Sequence, residues 1–205
     1  MSPHLTLIST APARSVLKEA ITHAENDCAH HAVLPLSTCR QLLALLCPCQ
    51  GGSPAVLDAC CGARSWWHIK DHPATLYLDN RAETIPLCDG RTITIAPDLR
   101  ADFRSLPLPD ESFFCVLFDP PHLLRAGESS WLRARYSVLS RDTWQSDLAR
   151  GFAECFRVLR PGGTLVFKWN ETQIPLSHVL PLALPHAPLI THSRHKTHFA
   201  IFLKF

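Results

Sequence analysis

Apolar and polar positions along this chain follow two rhythms, one helical and one strand-like. From Ser15 to Ala24 and from Ser37 to Leu46 the apolar residues fall at helical spacing, with Ser37 and Thr38 suited to cap the second stretch. Pro48 to Pro54, with Gly51, Gly52 and Ser53, reads as a linker. Residues 1–50 are therefore expected to be an N-terminal helical extension and residues 51–205 the main domain. Beyond the linker the rhythm changes. Ala55 to Asp58, Ala74 to Asp79, Ile93 to Ala96 and Phe113 to Asp119 are short runs of strand character, the third the weakest. Thr143 to Leu159 is the best helix, with Trp144, Leu148, Phe152, Cys155, Phe156 and Leu159 on one face. Pro161-Gly162-Gly163 stops it, and Thr164 to Trp169 follows as a fifth strand, with Pro188 to Thr191 and His198 to Lys204 as the last two. Strands joined by helical or loop connections imply an α/β fold whose mostly parallel sheet is covered on both faces.

Composition narrows the class. With 205 residues, 46% hydrophobic and 19% charged, the chain suits one globular α/β domain. The net charge of +2 permits a nucleic-acid partner only through a local basic face. Every apolar run is interrupted by Pro, His or a charge, so no membrane span is expected, and the first twenty residues lack the pattern of a secretion signal. Nine scattered cysteines do not suit a disulfide framework, which favours a cytoplasmic location. Cys28, His30, His31, Cys47 and Cys49 could supply zinc ligands, but no C-x-x-C pair occurs and no metal site is expected.

The chemistry is carried by acids at strand ends. Asp58, Asp79 and Asp119 each close an apolar run, and Asp102 follows the third. In an open parallel sheet these positions line the crevice where ligands bind, and converging carboxylates there suit a polar ligand. A structural role as helix caps or turn formers is the plainer alternative for any one of them.

In order and spacing these segments resemble class I, Rossmann-like methyltransferases that depend on S-adenosylmethionine. Val56-Leu57-Asp58-Ala59-Cys60-Cys61-Gly62 is similar to their first cofactor motif, D-x-G-x-G, with Cys60 and Arg64 standing where small residues are usual. Leu76-Tyr77-Leu78-Asp79 resembles the second strand, whose acid binds ribose hydroxyls, and Ala101-Asp102-Phe103 the segment that contacts adenine. Pro109-Asp110-Glu111-Ser112-Phe113 and Phe156-Arg157-Val158-Leu159-Arg160-Pro161-Gly162-Gly163 match the approaches to the fourth and fifth strands. The resemblance implies a seven-stranded Rossmann-like sheet with helices on both faces, and S-adenosyl-L-methionine held by Asp58, Ala59, Cys60, Gly62, Asp79, Asp102, Phe103 and Asp119. Asp119-Pro120-Pro121-His122 resembles the D/N/S-P-P-aromatic motif of amino-nitrogen methyltransferases. It implies that Asp119 and the Pro-Pro turn orient a target amino group while His122 stacks on the target ring. Arg125, Trp131 and Tyr136, then Lys168 and Asn170, are candidate substrate contacts, since cations interleaved with aromatics suit a stacked base with flanking phosphates. The expected substrate is a base in RNA or DNA, reached through the N-terminal helices or a protein partner. A small-molecule methyltransferase and a degenerate partner-binding domain are the alternatives.

Overall fold

The structure is a computed structural model that describes residues 55–205; the N-terminal helices, the linker and the Cys28-to-Cys49 grouping lie outside the described residues. Its elements are β1 (Val56–Asp58), β2 (Thr75–Asp79), β3 (Glu83–Pro86), β4 (Thr92–Ile95), β5 (Leu99–Arg100), β6 (Phe113–Phe118), α1 (Trp131–Tyr136), α2 (Trp144–Val158), β7 (Leu159–Asn170), α3 (Leu176–Val179), β8 (Ile190–Arg194) and β9 (Thr197–Leu203). Seven strands form one sheet in the order β5-β2-β1-β6-β7-β9-β8. The first five of these run parallel, and β9 and β8 are added antiparallel. The strand order reverses between β1 and β6, so the crevice expected of such sheets opens at their carboxyl ends, where Asp58 and Asp119 stand.

One expected strand belongs elsewhere. Ile93 to Ala96 falls in β4, which pairs only with β3 in a separate antiparallel ribbon. Its Thr-Ile-Thr-Ile alternation suits a ribbon with one exposed face, and Thr92 and Thr94 are exposed. The third parallel strand is instead the two-residue β5, registered on Leu78 and Asp79. A strand that short leaves no periodicity to read.

The helix α2 obeys its sequence pattern. Leu148, Phe152, Cys155 and Phe156 are buried, and the Phe152 ring lies 5.3 Å from Phe118 and 4.8 Å from Phe167. Helix α2, with α3 and the 3-10 turn Leu180–Ala183, covers one face of the sheet. On the other face Cys115, Leu117, Val166 and Ile201 are half-buried, and a helical cover for it is not among the described residues. The helix ends at Val158, ahead of Pro161, and Gly162 turns the chain with φ +76°.

Close approach of α2 to the sheet depends on Gly151. A Cβ there would stand 2.7 Å from Phe103 and 2.7 Å from Phe118. A helix-interior glycine is otherwise unfavourable, so the gain is the fit against these two rings.

The loop after β1 is organised around a buried cation. Arg64 takes φ +53°, a conformation that suits glycine and costs a side-chain-bearing residue about 1 kcal/mol. Its guanidinium donates to the Lys70 carbonyl at 3.0 Å and the Ala96 carbonyl at 2.7 Å, pairs with Asp71 and with Asp98, and stacks 3.8 Å over the Tyr77 ring. Asp98 in turn accepts from the Tyr77 amide at 3.2 Å. These bonds offset the strain and fasten the loop to the chain entering β5.

Two stability outcomes follow. Gly151→Ala should cost about 1–3 kcal/mol through overpacking, read as a lowered Tm. Arg64→Gly relieves the strain yet strands Asp98, so a net loss of about 2–4 kcal/mol is expected. Adding Asp98→Asn should restore part of that loss in thermal denaturation, and a fully additive double variant would refute the coupling.

Candidate active site

The cleft at the carboxyl edge is lined by the loop after β1, the ends of β2, β5 and β6, and the segment from Arg135 to Ser140. Ala59, Cys60, Gly62, Asp79, Asp102, Phe103, Asp119, Pro121 and Tyr136 all face it, so residues far apart in sequence converge as the motif order suggests.

Asp58 stands apart from that lining. It is fully buried beneath the loop, where one oxygen accepts the Trp67 indole N–H at 2.6 Å and the other the Cys60 amide at 3.3 Å. Burial pushes its carboxyl up to about 7 against these two bonds, with help from Asp119 and Asp79. Its role in this structure is to shape the loop after β1 from below.

Asp79 lies beside the cleft floor. Its Oδ2 accepts the Gly62 amide at 2.9 Å and its Oδ1 the Arg81 amide at 3.0 Å. Ionised carboxylates offer about four acceptor sites, so capacity remains for further donors. Gly62 has φ +50°, and a Cβ there would approach only the Arg135 carbonyl, at 3.8 Å. Its main chain thus opens onto the cleft, as a close backbone approach to a ligand requires. Cys60 and Cys61 serve in this turn as small residues, and burial raises both thiols above their ordinary value.

Asp102 forms a two-pronged pair with Arg104, which also reaches Asp147 of α2 at 3.0 Å. Burial pushes the Asp102 carboxyl up, but the Arg104 bonds outweigh it and leave the group below its ordinary value. Phe103 beside it packs edge-on to Phe118 at 5.4 Å. The cleft wall is therefore charged on one side and aromatic on the other.

Asp119 follows β6, half-buried, in contact with the Lys168 ammonium of β7. Burial raises its carboxyl above the ordinary value, while Lys168 and, more weakly, Arg135 oppose that rise. Lys168 also lies 5.0 Å from the Trp66 ring, which stacks on Phe199 at 6.0 Å.

His122 is buried rather than presented to the cleft. Its ring packs 4.8 Å from Tyr136 and 6.1 Å from Trp169. Burial pushes it down to about 4, so it is neutral at neutral pH. Asn170 is likewise engaged at a strand end, accepting from the Thr172 amide at 3.1 Å and donating to the Thr197 hydroxyl at 3.3 Å. Arg125 and Trp131 are exposed and lie outside the cleft lining.

Several functional neighbours escaped the sequence reading. Arg81 donates to the Ala134 and Arg135 carbonyls at the end of α1, strapping that helix beside Asp79. Cations stabilise helix carboxyl ends, which suits this bond. Trp66 was the more legible of the two, as an aromatic pair, Trp66-Trp67, directly follows the first motif.

No family model matches this chain, and no curated protein does either. Among solved structures it is similar to a protein from Pyrococcus horikoshii, with 14% identity, 74% of this chain and 82% of that chain covered, and a TM-score of 0.48. TrmN from Thermus thermophilus shares 17% identity over 86% of this chain and 51% of its own, with a TM-score of 0.48. A SAM-dependent methyltransferase from Methanosarcina mazei shares 13% identity over 75% of this chain and 93% of its own, with a TM-score of 0.44.

Proposed function

We propose that this protein is an S-adenosylmethionine-dependent N-methyltransferase acting on an exocyclic amino nitrogen of a base in RNA or DNA. The observation that carries the reading is one cleft joining Gly62, Asp79, Asp102 and Phe103 at one end to Asp119 and Pro121 at the other.

The residues fit the cofactor by donor type. The open main chain at Gly62 suits a methionyl group, Asp79 has acceptor sites for ribose hydroxyls, and Phe103 offers a ring edge to adenine beside Asp102, whose oxygens already accept from Arg104. When bound, S-adenosylmethionine supplies an electrophilic methyl group on its sulfonium centre.

Asp119 accepts a hydrogen bond from the target amino group beside the Pro120-Pro121 segment, so that the nitrogen lone pair points along the line of transfer, and the methylated nitrogen loses its extra proton to solvent afterwards. The carboxylate must be ionised to do this, and Lys168 favours that form. With His122 buried, Tyr136 is the ring that lines the cleft and can face a flat target. Arg64 adopts the backbone conformation a glycine would supply, which supports a working loop rather than a degenerate one. A small-molecule amine is the second reading, favoured by the recessed, half-buried position of Asp119 in the cleft.

Calorimetry should show S-adenosylmethionine binding that collapses in Asp79→Ala. Asp119→Ala should keep cofactor binding and lose roughly a hundredfold or more in methyl transfer to adenine- or cytosine-bearing substrates. A wild-type chain that binds no cofactor would refute the reading. The pH profile gives a further test. Lys168→Met removes the cation that opposes the burial-driven rise of Asp119, so the acid limb of the rate profile should move to higher pH.

A further inference from the structure

Cations from separate elements gather at the rim beside Asp119. The register Lys168↔Phe199 and Asn170↔Thr197 places the tip between β8 and β9 at the carboxyl end of β7, on the same edge as the active-site cleft. Arg194, His195 and Lys196 form this tip and are exposed. The Glu171 amide donates to the Lys196 carbonyl at 2.9 Å, fixing the tip against the turn after β7.

That same turn holds the loop that follows Asp119-Pro120-Pro121-His122. Gln173 accepts the Leu124 amide at 2.7 Å and the Arg125 amide at 2.9 Å, and donates to the Arg125 carbonyl at 2.8 Å. The main chain of Arg125 is thus fixed on both its polar groups while its side chain stays exposed. Arg133 of α1 reaches the Ala126 carbonyl at 3.3 Å, bringing another guanidinium to this loop. Among the described residues none of Arg125, Arg133 and Arg194 forms an ion pair, nor does Glu128 nearby. Lys196 has Glu171 as its acidic neighbour, and that carboxylate is already met by His198 at 3.1 Å.

The gathered cations outnumber the acids beside them and repel one another, which favours an anionic partner. The half-buried Trp66 stacks on Phe199 beside Lys168, so an aromatic surface lies on the inner side of these charges. Alternating charge and ring is the chemistry that holds an unpaired strand, phosphates outside and bases inside.

We propose that Arg125, Arg133, Arg194 and Lys196 form a collar for the sugar–phosphate backbone of a single-stranded or extruded nucleic-acid segment, with Trp66 and Phe199 supporting its bases. The collar rests on the N-methyltransferase reading for its orientation toward Asp119, and it extends that reading from one base to the strand that carries it.

The test is anisotropy titration of labelled mixed-sequence single-stranded RNA and DNA oligonucleotides over a range of salt concentrations. The triple variant Arg125→Ala/Arg194→Ala/Lys196→Ala should bind at least tenfold more weakly at low salt. Its log-affinity against log-salt slope should be shallower by about 2, near 0.7 for each phosphate left without its cation. Cofactor binding by calorimetry should be unchanged, showing an intact fold. Arg91→Ala, which removes an exposed arginine paired with Asp89, should leave affinity and slope alone. An unchanged slope in the triple variant, or an equal loss in Arg91→Ala, overturns the collar. Methylation of free nucleosides by a wild type that binds no oligonucleotide overturns the collar and leaves methyl transfer standing with a small-molecule substrate. Collar-dependent binding with no methyl transfer to any base supports the collar and refutes that reading.

Discussion

Buried carboxylates of like charge meet at one sheet edge, and much of the site is an answer to that repulsion. Asp58 and Asp119 follow neighbouring strands, and Asp58 also feels Asp79 across β1 and β2. Each needs its own remedy, since an uncompensated buried charge is costly. Asp58 receives the Trp67 indole and the Cys60 amide, which draws the loop after β1 into shape. Asp79 receives Gly62 and Arg81, and Arg81 continues to the carbonyls of α1. Asp119 receives Lys168 from the adjacent strand. The remedies differ in kind, and this difference assigns the roles. Burial raises the carboxyls of both Asp58 and Asp119, but only Asp119 has a cation against it that opposes the rise.

How far the sequence speaks depends on what each residue contributes. Strands with long apolar runs, such as β6, and a helix with a full buried face, such as α2, announce themselves through period alone. β5 does not, because two residues carry no period, and β4 misleads, because Thr-Ile-Thr-Ile suits a free ribbon as well as a sheet edge. The strand-end acids were legible as a set, yet their individual duties were not. Nothing in the order Val56-Leu57-Asp58 tells that Asp58 turns beneath the loop, for that depends on a tryptophan nine positions later. His122 occupies the aromatic position of its motif but is held inward by Tyr136 and Trp169, a contact between distant elements. Lys168 was visible as a strand-end cation, and its pairing with Asp119 required the register of β6 on β7.

Gln173 illustrates a second kind of order. It joins the loop after the Asp119 motif to the turn after β7 through its own amide. Both segments would otherwise be free to move separately, and loops at strand ends are where such motion concentrates. With the tip between β8 and β9 also bound to this turn, hydrogen bonds to the main chain join three segments of the rim on this side of the cleft.

The buried Arg64 has an evolutionary consequence. A glycine at this position would be the simpler way to make the turn, but it cannot be reached by one substitution without leaving Asp98 enclosed and unpaired. Losing Asp98 first would leave Arg64 with fewer partners and the Tyr77 amide without its acceptor. Each single step crosses a less stable intermediate, so the two positions are expected to drift together or not at all.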